Sequence, residues 1–295
     1  MPEDLKIALI GLDSSHPVEF VRLMQAPDRP NGQRVGGMRA VSCMRFQTPF
    51  QDETGLDERQ KQLEAWGVRV TSDFDQAVGE ADAVMVEIND PSYHLEYFTR
   101  CVALGKRVFL DKPLADTIAN GRKIADLAAA RGVEYFSASS LRFMPELTTA
   151  RASVPEAIAC SVFGPLGEAQ AGSSIVWYGV HAFEMLQVLM GRGARSVRTA
   201  KDELGAVVHV TYEGGRRGLV ELTVGAYHYG GVVRTSKAAH NFVVDMSTAY
   251  KHLLVHVERF FRTGEPPVET KDTLEIMAML DAAQRSADSE RSESL

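Results

Sequence analysis

Short apolar runs alternate with amphipathic stretches over the first 138 residues, and this rhythm narrows the possible folds more than anything else in the chain. Lys6 to Ile10 reads as a buried strand ended by Gly11, and a helix follows from about Pro17, a residue suited to a first helical turn. Residues 27–37, with Pro27, Pro30, Asn31, Gly32, Gly36 and Gly37, read as a loop, and 38–44 as the second strand. A polar helix over 54–66, a short strand at 68–70, a short helix at 73–79 and a buried strand at 83–86 come next. The series continues with a helix at 92–104, a strand at 107–110, a helix at 116–131 and a strand at 133–138. Strands interleaved with helices imply parallel βαβ units with right-handed crossovers. The expected fold class is therefore α/β, with an N-terminal Rossmann-type doubly wound parallel sheet.

The rhythm changes after about residue 140. A helix before Pro155, a strand at 156–163 and a helix at 180–190 are followed by strands at 205–212 and 217–224. The last two flank Glu213-Gly214-Gly215-Arg216, a hairpin signal. Helices at 247–262 and 272–287 close the chain, and the polar tail beyond Ala287 is expected to fray. This pattern implies a C-terminal α+β domain with an open, mostly antiparallel sheet, so that 1–140 is the nucleotide-binding domain and 141–295 the substrate and oligomerisation domain.

Net charge of −7 argues against a nucleic-acid surface, which needs a basic footprint, and against anionic membranes. No apolar run reaches spanning length. Met1-Pro2-Glu3-Asp4 leads directly into a strand-like run, with no expected signal peptide. Cys43, Cys101 and Cys160 lack any C-x-x-C spacing and read as packing thiols in a reducing cytoplasm.

A strand, a glycine turn and a helix is the dinucleotide-binding context. Here the turn reads Gly11-Leu12-Asp13-Ser14-Ser15-His16, and of the glycines expected at 11, 13 and 16 only Gly11 is present. Asp13 sets a negative charge where the backbone should approach a diphosphate, and His16 adds bulk where helix and strand pack. Ser14 and Ser15 offer hydroxyl donors, and the helix N-terminus keeps its positive dipole. A second reading is that Asp13 or Ser15 simply caps the helix. Arg45, after the second strand, suits a 2′-phosphate and so NADP, or is a solvent-exposed arginine.

Three further segments carry a family pattern: Pro91-Ser92-Tyr93-His94, Ala103-Leu104-Gly105-Lys106-Arg107-Val108 and Asp111-Lys112-Pro113-Leu114-Ala115. With Arg142-Phe143-Met144-Pro145, the His181 helix and Gly264-Glu265-Pro266-Pro267, they make the chain resemble, nearly end to end and in order, the glucose–fructose oxidoreductase/inositol dehydrogenase/MocA-like family. That resemblance implies NAD or NADP as cofactor and redox chemistry on sugars, cyclitols or related polyols. It places Lys112 between nicotinamide and substrate and implies a cis peptide before Pro113. Asn89, Pro91, His94 and Asp111 join Lys112 and the first turn as implied cofactor contacts.

His181 is the second catalytic candidate, because imidazole titrates near neutrality. Glu184, three residues on, can share its helix face and orient it. Family members carry an acid where this chain has Trp177, which can instead wall a sugar face. No metal is expected, although His181 with Glu184, and His16 or His228, have permissible ligand types. Tyr227-His228-Tyr229-Gly230 reads either as a pocket edge or as a solvent-facing aromatic edge. Lys112 and His181 are expected to converge on one crevice in a hydride-transfer enzyme. The alternatives are a lyase or hydrolase that uses NAD transiently, and a non-catalytic binding or regulatory protein on a dehydrogenase frame. Self-association through the second-domain sheet is also expected.

Overall fold

The computed structural model describes residues 3–29 and 32–295. Pro30 and Asn31 of the expected loop, and Met1 and Pro2, lie outside the described residues. In chain order the first half holds β1 (Leu5–Ile10), α1 (His16–Gln25), β2 (Met38–Met44), α2 (Glu53–Ala65), β3 (Arg69–Thr71), α3 (Phe74–Val78), β4 (Ala83–Val86), α4 (His94–Val102), β5 (Val108–Leu110), α5 (Ile118–Arg131) and β6 (Tyr135–Phe136). The second half holds α6 (Pro145–Ser153), β7 (Ala159–Leu166), α7 (Ser174–Trp177), α8 (Val180–Met190), β8 (Ala194–Asp202), β9 (Gly205–Tyr212), β10 (Arg217–Val224), β11 (Gly230–Arg234), β12 (Ala239–Val243), α9 (Ala249–Thr263), α10 (Thr270–Ser289) and β13 (Glu293–Ser294).

Two compact units result. One comprises Met1–Ala115, Asn120–Ser137 and Tyr250–Glu269, the other Asp116–Ala119, Ala138–Ala249 and Thr270–Leu295. A single boundary at 140 had put α9 in the second unit; the structure puts nearly all of it in the first. Its apolar stripe explains why: Phe260 meets Phe136 of β6 edge-on at 5.1 Å, and Arg107 Nη1 donates to Phe261 O at 2.5 Å.

The first unit is a six-stranded sheet in the order β3-β2-β1-β4-β5-β6, parallel throughout. Every residue of β4 is buried, the unbroken apolar run expected of a parallel strand covered on both faces. Side-chain caps start its helices: Asp52 accepts from Gly55 N–H at 2.8 Å for α2, and Asp73 from Gln76 N–H at 2.8 Å for α3. The strand order reverses direction between β1 and β4, and ligands of such sheets bind beyond the strand C-termini at that point.

The second unit is a seven-stranded sheet ordered β12-β11-β7-β10-β9-β8-β13, with β7 and β10 parallel and the remaining pairs antiparallel. Helices α8 and α10 pack against this sheet. The strands alternate accordingly, as in β9, where Ala206, Val208, Val210 and Tyr212 are buried while Val207 and His209 are exposed. The expected hairpin between β9 and β10 is present, and Gly214 and Gly215 both take positive φ to turn it. The expected strand at 156–163 sits later, at 159–166, and β8, β11, β12 and α7 are additions to the sequence reading. The tail does not fray: Glu293 and Ser294 pair with β8, and Arg285 donates to Ser294 O at 2.8 Å.

Candidate active site

In the first unit the sequence-predicted residues gather at the C-terminal tips of β1, β4 and β5. Gly11 ends β1 at φ +107°, and a Cβ there would lie 2.9 Å from Glu87 O and from the Ile88 side chain. Only glycine meets both demands. Its N–H donates to Met44 O at 2.9 Å, Glu87 N–H to Ile10 O at 2.8 Å and Asp111 N–H to Val86 O at 2.9 Å, so neighbouring strands fix the three tips in register.

Asp13 does not face outward. It is 1% exposed, with Oδ1 accepting from Asn89 N–H at 2.8 Å and Oδ2 from Thr48 Oγ1 at 2.7 Å. Burial raises its carboxyl above the ordinary range, against the pull of those two hydrogen bonds. The charge expected beside a diphosphate is thus turned into the protein, where it fastens the turn to the loop after β4. Ser14 is buried and donates to Glu87 O at 3.4 Å, and Ser15 is exposed at the N-cap of α1 without capping it through its side chain.

His16 is drawn inward as well. Its Nδ1 lies 2.6 Å from Asp111 Oδ2 and 3.8 Å from Glu87 Oε2, and its ring stacks on Phe20 and meets Tyr250 edge-on, each at 5.2 Å. Burial works to raise the Asp111 carboxyl, but the His16 and Lys112 charges and hydrogen bonds overcome it and hold Asp111 well below the usual carboxylate range. Glu87 goes the other way. Burial, then the Asp111 charge, lifts its carboxyl well above the ordinary value, with Lys112 offsetting part of the rise. Neither Glu87 oxygen has a hydrogen-bond partner.

Lys112 follows β5, is 8% exposed, and its N–H donates to Asp111 Oδ1 at 2.7 Å. The Lys112–Pro113 peptide is cis, as the resemblance implied. Ser137 donates to Asp111 O at 3.2 Å from the end of β6. His94, an implied cofactor contact, is fully buried instead, with Nε2 2.8 Å from Ile88 O and Nδ1 3.3 Å from Leu114 O. It ties the loop after β4 to the loop after β5. Pro91 is buried in the short turn that Asp90 caps by accepting from Ser92 N–H at 3.0 Å, and Asn89 is half-buried. Arg45 is committed to α2: it pairs with Asp57 at 2.7 Å and with Glu53, and donates to Gln60 Oε1 at 2.6 Å. Neither the 2′-phosphate reading nor the solvent-exposed one anticipated this acidic setting.

In the second unit His181 Nδ1 bonds Ser139 Oγ at 2.7 Å, with Tyr178 and Tyr229 edge-on at 5.3 and 5.7 Å. Glu184 accepts from Ser139 N–H at 3.1 Å and pairs with Arg142 at 2.9 Å. The expected helix-face contact is therefore relayed: the carboxylate holds Ser139, and Ser139 holds the imidazole. Burial raises the Glu184 carboxyl, and Arg142 opposes it. Trp177 is half-buried and tilted against Tyr178 at 5.1 Å. Of the aromatic run at 227–229, Tyr229 turns in beside His181 while Tyr227 is 66% exposed. Sequence reasoning missed Glu87, Thr48, Tyr250 and Ser139. An acid directly after an apolar strand is the one signal that pointed to Glu87.

Residues 54–139 match the family model described as an oxidoreductase family with an NAD-binding Rossmann fold. Over those residues the chain is similar to the glucose–fructose oxidoreductase/inositol dehydrogenase/MocA-like family. Among curated proteins it is similar to the uncharacterized oxidoreductase YhhX of Escherichia coli K12, 24% identical over 139 residues, which is 42% of this chain and 40% of that protein. The solved GenD2 from gentamicin A biosynthesis, in complex with NAD, shares the fold at TM-score 0.80 and 18% identity over 100% of this chain and 97% of its own. So does a scyllo-inositol dehydrogenase from Lactobacillus casei with NAD(H) and scyllo-inositol, at TM-score 0.81 and 13% identity over 99% of each chain. A myo-inositol dehydrogenase from Corynebacterium glutamicum follows at TM-score 0.80 and 14% identity, again over 99% of each. The residues at the β1 turn fit a dinucleotide. Gly11 keeps the tight exit, and both side chains that replace glycines fold back into the protein.

Proposed function

We propose that this chain transfers hydride between NAD(P) and a sugar, cyclitol or related polyol. The observation that carries the reading is Lys112, a buried lysine directly after β5, set by Asp111 and followed by a cis proline. When bound, the nicotinamide ring supplies the hydride acceptor or donor. Lys112 is assigned to the reacting oxygen, where an ammonium polarises a carbonyl or steadies the oxygen of an alcohol losing its proton. His181, aligned by Ser139, is assigned the hydroxyl proton, and Glu184 is a positioning residue acting through Ser139. K112A and H181A are each expected to lower kcat, read by nicotinamide absorbance. Gly11, Ser14, Ser15 and the start of α1 are assigned to the diphosphate. The carboxylates around Arg45 disfavour a 2′-phosphate and support NAD over NADP.

Two further readings accompany this one. Val243, Gly230, Phe163, Glu221 and Val207 form one cross-strand row on the sheet, with Val243, Phe163 and Val207 66%, 37% and 40% exposed. That apolar row supports a homo-oligomer built through this face. Three buried free cysteines support a cytoplasmic protein, and among the described residues no helix is long and apolar enough to cross a membrane.

The test begins with thermal unfolding in NAD and in NADP, and mass spectrometry of the gently purified protein for retained nucleotide. A ligand at ~100 times its Kd stabilises by about 2.7 kcal/mol. A panel of polyols then follows, read by nicotinamide absorbance. Absence of both retained nucleotide and stabilisation would overturn the proposal.

A further inference from the structure

His16 Nδ1 and one carboxylate oxygen each from Glu87 and Asp111 all lie within 4.8 Å of one another. The three residues come from the start of α1 and the ends of β4 and β5, so the sheet register, not a flexible loop, sets their spacing. We propose that this cluster is a binding site for one divalent first-row transition-metal ion, such as Zn²⁺ or Mn²⁺.

The decisive feature is Glu87. It is fully buried, it sits 3.8 Å from His16 Nδ1, and both its oxygens lack any hydrogen-bond partner. Native proteins seldom leave a buried carboxylate in that state, and an unsatisfied group is a reason to look for an ion. A cation supplies the missing partner. The charge also closes, since two carboxylates and a neutral imidazole match one divalent ion.

The supporting groups are those a metal site needs. Asp111 Oδ1 accepts from Lys112 N–H at 2.7 Å, which turns Oδ2 toward His16. Phe20 and Tyr250 pack on the imidazole and fix its plane. Such outer contacts orient ligands and are worth ~10–100-fold in affinity. Ligand atoms ~2.0–2.2 Å from an ion stand ~3–4 Å apart, so the 2.6 Å His16–Asp111 contact opens by ~0.4–1.4 Å on binding while the 3.8 Å contact already suits. A mixed imidazole and carboxylate set favours Zn²⁺ or Mn²⁺ over Ca²⁺, which takes oxygen ligands alone.

The test uses the full chain, stripped with chelator, dialysed, and titrated separately with Zn²⁺ and Mn²⁺ by calorimetry. Metal content after gel filtration is read by mass spectrometry. One ion per chain is expected, with affinity lowered at least ~10-fold in E87Q and again in H16Q. Thermal unfolding without metal shows whether each variant is folded, and H16Q serves where E87Q is not. No bound ion at ~0.1 mM free metal would overturn the site, as would wild-type affinity in folded E87Q or H16Q, which places the ion elsewhere. The readout is metal content, so its outcome is independent of nicotinamide binding.

Discussion

Two glutamates are buried, one within α8 and one just past the end of β4, and they differ in what surrounds them. Glu184 on α8 has each oxygen engaged, one by Ser139 N–H and one by Arg142, and Arg142 also reaches Asp272 at 3.5 Å. Glu87 after β4 has neither oxygen engaged. The first is a finished structural device whose desolvation is offset by a salt bridge and a backbone donor. The second is an acid with no hydrogen bond among the described residues, beside a histidine and an aspartate, an arrangement retained at sites that do chemistry or bind ions. Spacing along the helix singled out Glu184, whereas satisfaction of the carboxylates singles out Glu87.

The variants that sharpen this contrast differ in size. K112A is expected to cut kcat by ~10²-fold or more under the proposed role at the reacting oxygen, and to lower the urea midpoint as well, because the Lys112 charge offsets those of buried Asp111 and Glu87. Wild-type rates in K112A would remove it from the mechanism. E184A is expected to lose about 3–5 kcal/mol in urea unfolding, since it leaves buried Arg142 with only its longer Asp272 contact and Ser139 N–H without its acceptor. G11A follows, losing about 2–3 kcal/mol through a Cβ pressed against Glu87 O at positive φ. E87M, by contrast, removes no hydrogen bond and only the long His16 contact, and should fall within about 1 kcal/mol of wild type or above it. A loss as large as that of E184A would erase the distinction between the two acids.

The smallest effect concerns pH. Asp13 has a raised carboxyl in the folded state, so its contribution to stability is present below the ordinary value of 3.8 and fades as pH rises through the folded one. D13N keeps an acceptor for Asn89 N–H and can donate to Thr48, but carries no titrating proton. The wild-type advantage over D13N in unfolding temperature should therefore shrink as pH rises through the acid range. An advantage that grows with pH would show that Asp13 is held ionised instead.

The Rossmann half was legible because its strands are buried on both faces. Val84 to Val86 reads as apolar whatever surrounds it, and the motif around Lys112 follows a strand that could be located to within a residue. The second sheet was less so. In β8 the outward side chains are Arg198, Lys201 and their neighbours, and only Val197 and Thr199 mark the inner face. That pattern passes for a loop until partners pair with it. Partnership is also what hid the inward turns of Asp13 and His16: their ties to Thr48, Asn89 and Asp111 join positions 35, 76 and 95 residues apart. The ties of His94 were hidden for the same reason, since the two carbonyls that hold it belong to separate loops.

The placement of α9 bears on how the chain acquires its shape. Phe260 packs on Phe136 and Arg262 reaches back to Gly37 O at 2.8 Å, so the nucleotide half lacks part of its hydrophobic interior until residues past 260 are available. On the ribosome, where residues emerge in order, that half must wait for nearly the whole polypeptide before it can close. A fragment ended near residue 140 would expose the apolar surface that this late helix covers, and the two halves are thereby obliged to mature together.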